Sequence, residues 1–316
     1  MKFIIMNSAE VYKHMRQFIT IHVGGTDIKY ALMNENAEII EQGDVPTPKT
    51  SREDFVEAIG CIYDKYAGQA EAIAMAAPGK IDAGRGYFYT SGALRYIGEC
   101  DMKEVLKDRC PIEYCCENDA KAAALAELWK GSMKGVQNGI VMTLGTGIGG
   151  ALIIDGHLYR GTTFAAGEFS GVSTQWTEQY SSKVIWARAG STSALIGRYA
   201  QAKGMDPNEL NGRIFFANAN AGEAEALQVL DEFCTAMATS LHSLQLILDV
   251  QKVAIGGGIS KQDLLIDTLN KKMDELYEQA YAHRTPATRP EVVRCTFGND
   301  ANMIGALYHY LYELKG

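Results

Sequence analysis

The sequence predicts an α/β protein of two domains, each a mostly parallel sheet with helices on both faces, made by repeating one strand-turn-strand plan. Three observations carry this. A glycine-rich turn, Gly145-Thr146-Gly147-Ile148-Gly149-Gly150, stands between apolar runs of strand character, Gly139–Leu144 before it and Ala151–Ile154 after it. A second turn, Gly24-Gly25-Thr26, stands between similar runs roughly 120 residues earlier, a separation too long for a solenoid and suited to a duplicated domain. In each half a helical stretch then returns to a short apolar strand, which ends in Pro78-Gly79 or in Gly256-Gly257-Gly258.

In chain order, residues 1–17 read as a peripheral N-terminal extension, with Met15 a natural start just before the first strand. Phe18–Val23 and Asp27–Met33 are strands, and a polar turn leads to a third at Glu38–Gln42. If Gly24-Gly25 is a two-residue hairpin loop, His22 pairs with Asp27 across it. Ser51 is the expected cap of a helix to about Tyr66, with Glu53 and Asp54 suited to the dipole of its first turn. Ala70–Ala77 and Pro111–Cys116 follow as strands. The alanine-rich run Ala120–Trp129 is a helix capped by Asn118 or Asp119. In the second half Asp155-Gly156 signals a hairpin into His157–Arg160, and a long helix from Glu223 to Leu248 precedes the strand Lys252–Ile255. Gly298-Asn299-Asp300-Ala301-Asn302 repeats the cap-plus-alanine pattern and opens a last helix to about Leu314. The expected domains are 18–117 with 300–316, and 118–299.

Composition narrows the chemistry. With 316 residues the chain exceeds one core, and 47% hydrophobic with 22% charged residues is the balance of a soluble globular protein. A formal net charge of −8 argues against nucleic acid as a partner. No apolar run is long enough for a membrane span. Seven cysteines are an odd number without a Cys-x-x-Cys pair, so Cys115-Cys116 read as buried thiols and the compartment as reducing and cytoplasmic. Small metabolites remain as ligands. The glycine turns suit an anion, because backbone N–H groups without a Cβ beside them can approach a phosphate directly.

Two such turns, an Asn-Asp pair at a helix start and a third glycine cluster are what an actin-like (ribonuclease H-like) ATPase fold would supply, with a cleft between its two domains. The chain resembles the ROK family of bacterial sugar kinases and sugar-responsive regulators. The resemblance runs through Val23-Gly24-Gly25-Thr26, Ala77-Pro78-Gly79-Lys80-Ile81-Asp82, Asn118-Asp119-Ala120-Lys121-Ala122-Ala123, Leu144 to Gly150, Ala166-Gly167-Glu168 and Gly256-Gly257-Gly258-Ile259, in family order from about residue 18 to the end. It implies ATP, with Gly24, Gly25, Thr26 and Lys29 on one side of the phosphates and Gly145, Thr146 and Gly147 on the other. Gly256, Gly257 and Gly258 would lie near the adenosine. It implies Asp119 as the base that takes the acceptor proton, Asn118 and Glu168 on sugar hydroxyls, and Gly92 along the sugar. A homodimer is a family-level expectation.

The sequence departs from the family twice. No cysteine lies between Cys116 and Cys234, so no structural zinc is expected after Glu168, and the segment with Trp176, Tyr180 and Trp186 must order itself by packing. Zinc-less relatives of this kind resemble β-glucoside kinases, which phosphorylate the 6-hydroxyl of a terminal glucose. The second departure is His22, where the family has an Asp that helps to hold hydrated Mg²⁺, and imidazole is a poor ligand for that hard cation. Three outcomes are open: ATP carries the metal itself, the enzyme is slow, or the protein senses sugar without transferring phosphate. Asp27, if opposite His22, would restore a carboxylate. The reading is an ATP-dependent hexose or β-glucoside kinase making a 6-phosphate, with a non-catalytic sugar sensor as its alternative.

Overall fold

The computed structural model describes residues 15–175, 177–284 and 286–315. The N-terminal extension as far as residue 14, and Trp176, lie outside them. Two compact units divide the chain, one made of residues up to Trp129 together with Asp300 onward, the other of Lys130–Asn299.

The first unit contains strands β1 (Gln17–Val23), β2 (Asp27–Asn34), β3 (Ile39–Pro46), β4 (Ala72–Ala77), β5 (Ile81–Asp82), β6 (Tyr87–Phe88), β7 (Cys100–Asp101) and β8 (Glu113–Asn118). Its helices are α1 (Arg52–Tyr66), α2 (Met102–Leu106), α3 (Asp119–Lys130) and α9 (Ala301–Tyr308), the last continuing as a π-helical turn, His309–Leu314. The main sheet has the order β3-β2-β1-β4-β8. β1, β2 and β3 pair antiparallel, while β1, β4 and β8 pair parallel. Alternation along β1 splits its residues between the faces. Ile19, Ile21 and Val23 join Phe55, Ile59 and Tyr66 of α1 in one core. Phe18 on the opposite face meets Tyr310, with ring centroids 5.6 Å apart. α9 crosses α3 so closely that a Cβ on Gly305 would come within 1.6 Å of the Ala122 carbonyl oxygen, so only glycine fits there.

The second unit contains β9 (Gly139–Leu144), β10 (Ile148–Ile154), β11 (His157–Tyr159), β12 (Lys252–Gly256) and β13 (Glu291–Arg294). Its helices are α4 (Trp186–Gly190), α5 (Thr192–Lys203), α6 (Gly212–Asn220), α7 (Ala224–Leu248) and α8 (Asp263–Ala282). The sheet order is β11-β10-β9-β12-β13, with β9, β10 and β11 antiparallel and β9, β12 and β13 parallel. Strand for strand this is the plan of the first unit, and the duplication read from the two glycine turns extends to the whole sheet. α7 carries the core: Phe233, Met237 and Leu241 pack with Leu195, Tyr199, Leu265 and Met273, each such side chain contributing about 1.5–3 kcal/mol by leaving water.

Three local expectations are corrected. Gly149 and Gly150 are not in the turn; they lie in β10, paired with Thr143 and Met142. His22 does not face Asp27. β1 and β2 pair Val23 with Ile28 and His22 with Lys29, so the connection is a four-residue turn, closed by the Gly24 N–H on the Asp27 carbonyl at 3.0 Å. At the last helix Gly298–Asp300 is a 3₁₀ turn, and Asp300 makes no side-chain cap hydrogen bond. In the segment after Glu168 the described aromatic residues differ, Trp186 being packed and Tyr180 exposed. Trp186 is buried against Phe169 at 6.0 Å between centroids, and Tyr180 donates its hydroxyl to the Gly171 carbonyl at 3.1 Å. The cysteines are free thiols, with Cys115 and Cys116 buried in β8.

Candidate active site

In the first unit the glycine turn follows β1. A Cβ on Gly24 would stand 2.8 Å from the Asp27 carbonyl oxygen, so the tight closure needs glycine. Thr47 supports the turn, its hydroxyl donating to the Gly24 carbonyl at 2.8 Å and its N–H to the Thr26 carbonyl at 2.8 Å. Gly25 and Thr26 are exposed, and a Cβ on Gly25 would meet nothing within 4 Å. An approaching anion therefore finds backbone without obstruction. Lys29 lies across the sheet from His22 on one side and from Asp44 on the other. His22 is pushed down to about 4 by burial and by the Lys29 charge, so it is neutral near pH 7, and its Nδ1 is buried without a hydrogen-bond partner.

Asn118 and Asp119 stand where β8 becomes α3. The sequence left the cap open between them, and the structure assigns it to Asn118, whose Oδ1 accepts from the Lys121 N–H at 3.1 Å. Asn118 Nδ2 donates to the Gly79 carbonyl at 3.0 Å. Asp119 opens the helix, and its Oδ1 accepts from the Ala120 N–H at 2.8 Å. Its own carbonyl receives Asn302 Nδ2 at 2.8 Å. The Asp119 carboxylate thus stands partly buried at the N-terminus of α3. Gly92 is exposed with φ +58°, and a Cβ there would press on Pro78 at 3.0 Å. Asn118, Asp119, Gly79 and Gly92 thus belong to one end of one sheet.

In the second unit Gly145, Thr146 and Gly258 line one cavity of about 880 Å³, the size of a small-molecule site. Gly145 and Gly147 have open space where a Cβ would stand, and the Gly145 carbonyl accepts the Thr192 N–H at 2.9 Å at the start of α5. Gly257 has φ +91°, and its Cβ would lie 2.2 Å from the Leu144 carbonyl oxygen. Gly256 ends β12 beside Cys295. These two glycines let the end of β12 close against that of β9, leaving Gly258 on the cavity wall. Leu144, Ile196, Phe216 and Ile259 supply apolar lining, and Asn211, Arg213 and Lys261 polar groups. A flat heteroaromatic base with a charged tail matches that mixture. Glu168 is exposed beside β10, where Gly150 makes room for Phe169 and Gly167 sits close on Ala151.

Sequence reasoning missed Arg213 and Lys261. Asn211, whose Oδ1 accepts from the Arg213 and Ile214 N–H groups, was a legible cap signal for α6. It also missed a group in the first unit, buried Glu117 and His309 with exposed Glu313, whose ligating atoms lie within 4.8 Å of one another. Among the described residues no helix is long and apolar enough to cross a membrane.

The model of the ROK family matches residues 18–312. The β-glucoside kinase of Listeria monocytogenes is 28% identical over 293 residues, covering 92% of this chain and 96% of that protein. The glucokinase of Halalkalibacterium halodurans is 29% identical over 313 residues, covering 92% and 93%. A crystal structure of a ROK family protein from Streptococcus pneumoniae in complex with sucrose has a TM-score of 0.84 at 27% identity, covering 95% of this chain and 99% of that one. The fold is that of the actin-like ATPases, and with the family match spanning both units the chain belongs to the ROK family.

Proposed function

We propose that this chain, an ATP-dependent sugar kinase, transfers the γ-phosphoryl group to the 6-hydroxyl of a glucose ring, free or at the end of a β-glucoside, with Asp119 as the base. Relatives that are β-glucoside kinases and glucokinases support the substrate class, and a related structure bound to sucrose supports an acceptor of two rings. The observation that carries the mechanism is the setting of Asp119. Its backbone is held from both sides by the Asn118 cap and the Asn302 amide, which fixes a carboxylate at the start of α3 next to Asn118.

Phosphoryl transfer rests on positioning and on neutralising charge. In this reading the cavity of the second unit holds the nucleotide, with Gly145, Thr146 and Gly147 toward its phosphates and Gly256, Gly257 and Gly258 toward the adenosine. Bound there, ATP supplies the phosphoryl group. Within the first unit, Gly24, Gly25 and Thr26 offer backbone N–H groups suited to phosphate oxygens, Lys29 offers a charge, and Asn118 and Gly92 are suited to the acceptor. In the second unit Glu168 is suited to ring hydroxyls. At the first turn His22 does not fit Mg²⁺, because a neutral imidazole beside cationic Lys29 offers no oxygen to a hard cation. Mg²⁺ therefore enters as the ATP complex, and no step is assigned to it at this turn. That same pair favours a second reading, a sugar sensor with slow or no turnover.

The test is ADP release with glucose, cellobiose, gentiobiose, N-acetylmannosamine and fructose. Turnover with glucose or a β-glucoside, giving the 6-phosphate, is expected, and Asp119→Asn should lower kcat by about 10²–10⁴. Sugar binding without turnover on any of the five would overturn the kinase reading in favour of the sensor.

A further inference from the structure

The three-stranded sheet β5-β6-β7 of the first unit has two unlike faces. Ile81 pairs with Phe88 and Phe88 with Cys100, and all three are buried. Alternation turns their neighbours Lys80, Asp82, Tyr87 and Tyr89 to the other face, where they are partly exposed. On it the Tyr87 and Tyr89 rings meet edge to face at 5.1 Å. Lys80 Nζ stands 4.8 Å from the centre of the Tyr89 ring, and the Tyr87 hydroxyl donates to Glu99 Oε1 at 3.0 Å. Phosphoryl transfer uses none of these residues.

This face begins one residue from the acceptor end. Asn118 holds the Gly79 carbonyl, and Lys80 follows Gly79 in the chain, about 3.8 Å away from Cα to Cα. Lys80 donates its N–H to Thr90 Oγ1 at 2.9 Å and accepts the Tyr89 N–H on its carbonyl at 2.9 Å. Gly92 lies three residues beyond Tyr89. A sugar held at Asn118 and Gly92 thus has, next along the same backbone, an aromatic pair flanked by an ammonium and a carboxylate. A pyranose has a C–H face that stacks on an aromatic ring and a rim of hydroxyls that bond to charged groups, so the match is to a second sugar ring.

We propose that this face is the subsite for the outer ring of a two-ring β-glucoside, with Tyr89 as its platform and Lys80 and Glu99 on its hydroxyls. The inference rests on the reading of Asn118 and Gly92 as acceptor-binding residues. It is tested on the full chain with cellobiose and glucose as paired acceptors. Tyr89→Ala should lower the ratio of kcat/KM for cellobiose over glucose about tenfold, and Tyr89→Phe should keep most of it. Calorimetric titration with cellobiose reads the subsite without turnover, and the same loss is expected in Kd. An unchanged ratio and Kd in Tyr89→Ala overturn the proposal, as does wild-type protein that uses glucose but neither uses nor binds cellobiose. Asp119→Asn separates the two levels: full turnover in that variant defeats the reading of the acceptor end, whereas an inactive Asp119→Asn with an unmoved Tyr89→Ala ratio defeats the subsite alone.

Discussion

Asn118 Nδ2 donates to the Gly79 carbonyl at 3.0 Å, joining the last residue of β8 to the glycine beyond β4, while the Oδ1 of the same side chain caps α3. One amide therefore fixes the entry of Asp119 and the Gly79 turn together. Asn118→Ala loses both bonds and is expected to cost about 2 kcal/mol, and Asn118→Ser, which keeps a cap but cannot reach as donor, about half of that. Urea unfolding of the three proteins measures the order. Equal stability in Ala and Ser variants would show that the cap contributes nothing.

His22 makes stability depend on pH in a definite direction. Its folded value, about 4, lies below the ordinary 6.5, so between these values the unfolded chain binds the extra proton. The contribution is therefore fully present above about pH 6.5 and is lost as the pH falls toward 4, up to about 3 kcal/mol in all. His22→Gln cannot titrate. Its Tm should fall less steeply than wild type over that window, and parallel curves would remove His22 from the account.

The ring of His309 faces an oxygen acceptor at each nitrogen, Glu313 Oε2 at 2.6 Å from Nδ1 and the Ala83 carbonyl at 3.3 Å from Nε2. Glu117, fully buried, lies close by and accepts the Asn118 N–H at 2.7 Å. Removing the ring takes away the group that faces the Glu313 carboxylate and the buried Ala83 carbonyl. His309→Leu is expected to destabilise by about 3 kcal/mol, and His309→Gln, which keeps one N–H donor group, by less. Chemical unfolding decides, and a His309→Leu protein as stable as wild type would contradict it.

Gly257 combines a left-handed backbone with a close approach to Leu144. Gly257→Ala puts a methyl group against a carbonyl that cannot move without displacing β9, so it should cost about 2–4 kcal/mol and raise the KM for ATP. Gly258→Ala has open space and is the control for stability. A smaller loss of stability in Gly257→Ala than in Gly258→Ala would be inconsistent with this packing.

Much of the plan was legible because glycine turns between β-branched runs have few other uses. The pairs β1-β2 and β9-β10, the helices α1, α3 and α7, and the strands β4 and β12 all followed from local pattern. Other elements were not. β5, β6 and β7 are two residues each, too short for alternation to show. The hairpin register was missed because a two-residue and a four-residue loop through Gly24-Gly25 differ only in which carbonyl closes the turn.

By itself the sequence determined the duplicated α/β plan, the family, and the residue types available at each turn, since these depend on local periodicity and on where glycine, Asn and Asp stand. Only the tertiary structure decided that Lys29 rather than Asp27 faces His22, that Asn118 rather than Asp119 caps α3, and that Arg213 and Lys261 share a cavity with Gly145. The physical reason is the same in each case. Strand register, the choice between adjacent caps and the convergence of distant loops depend on packing between segments far apart in the chain, which no local pattern encodes.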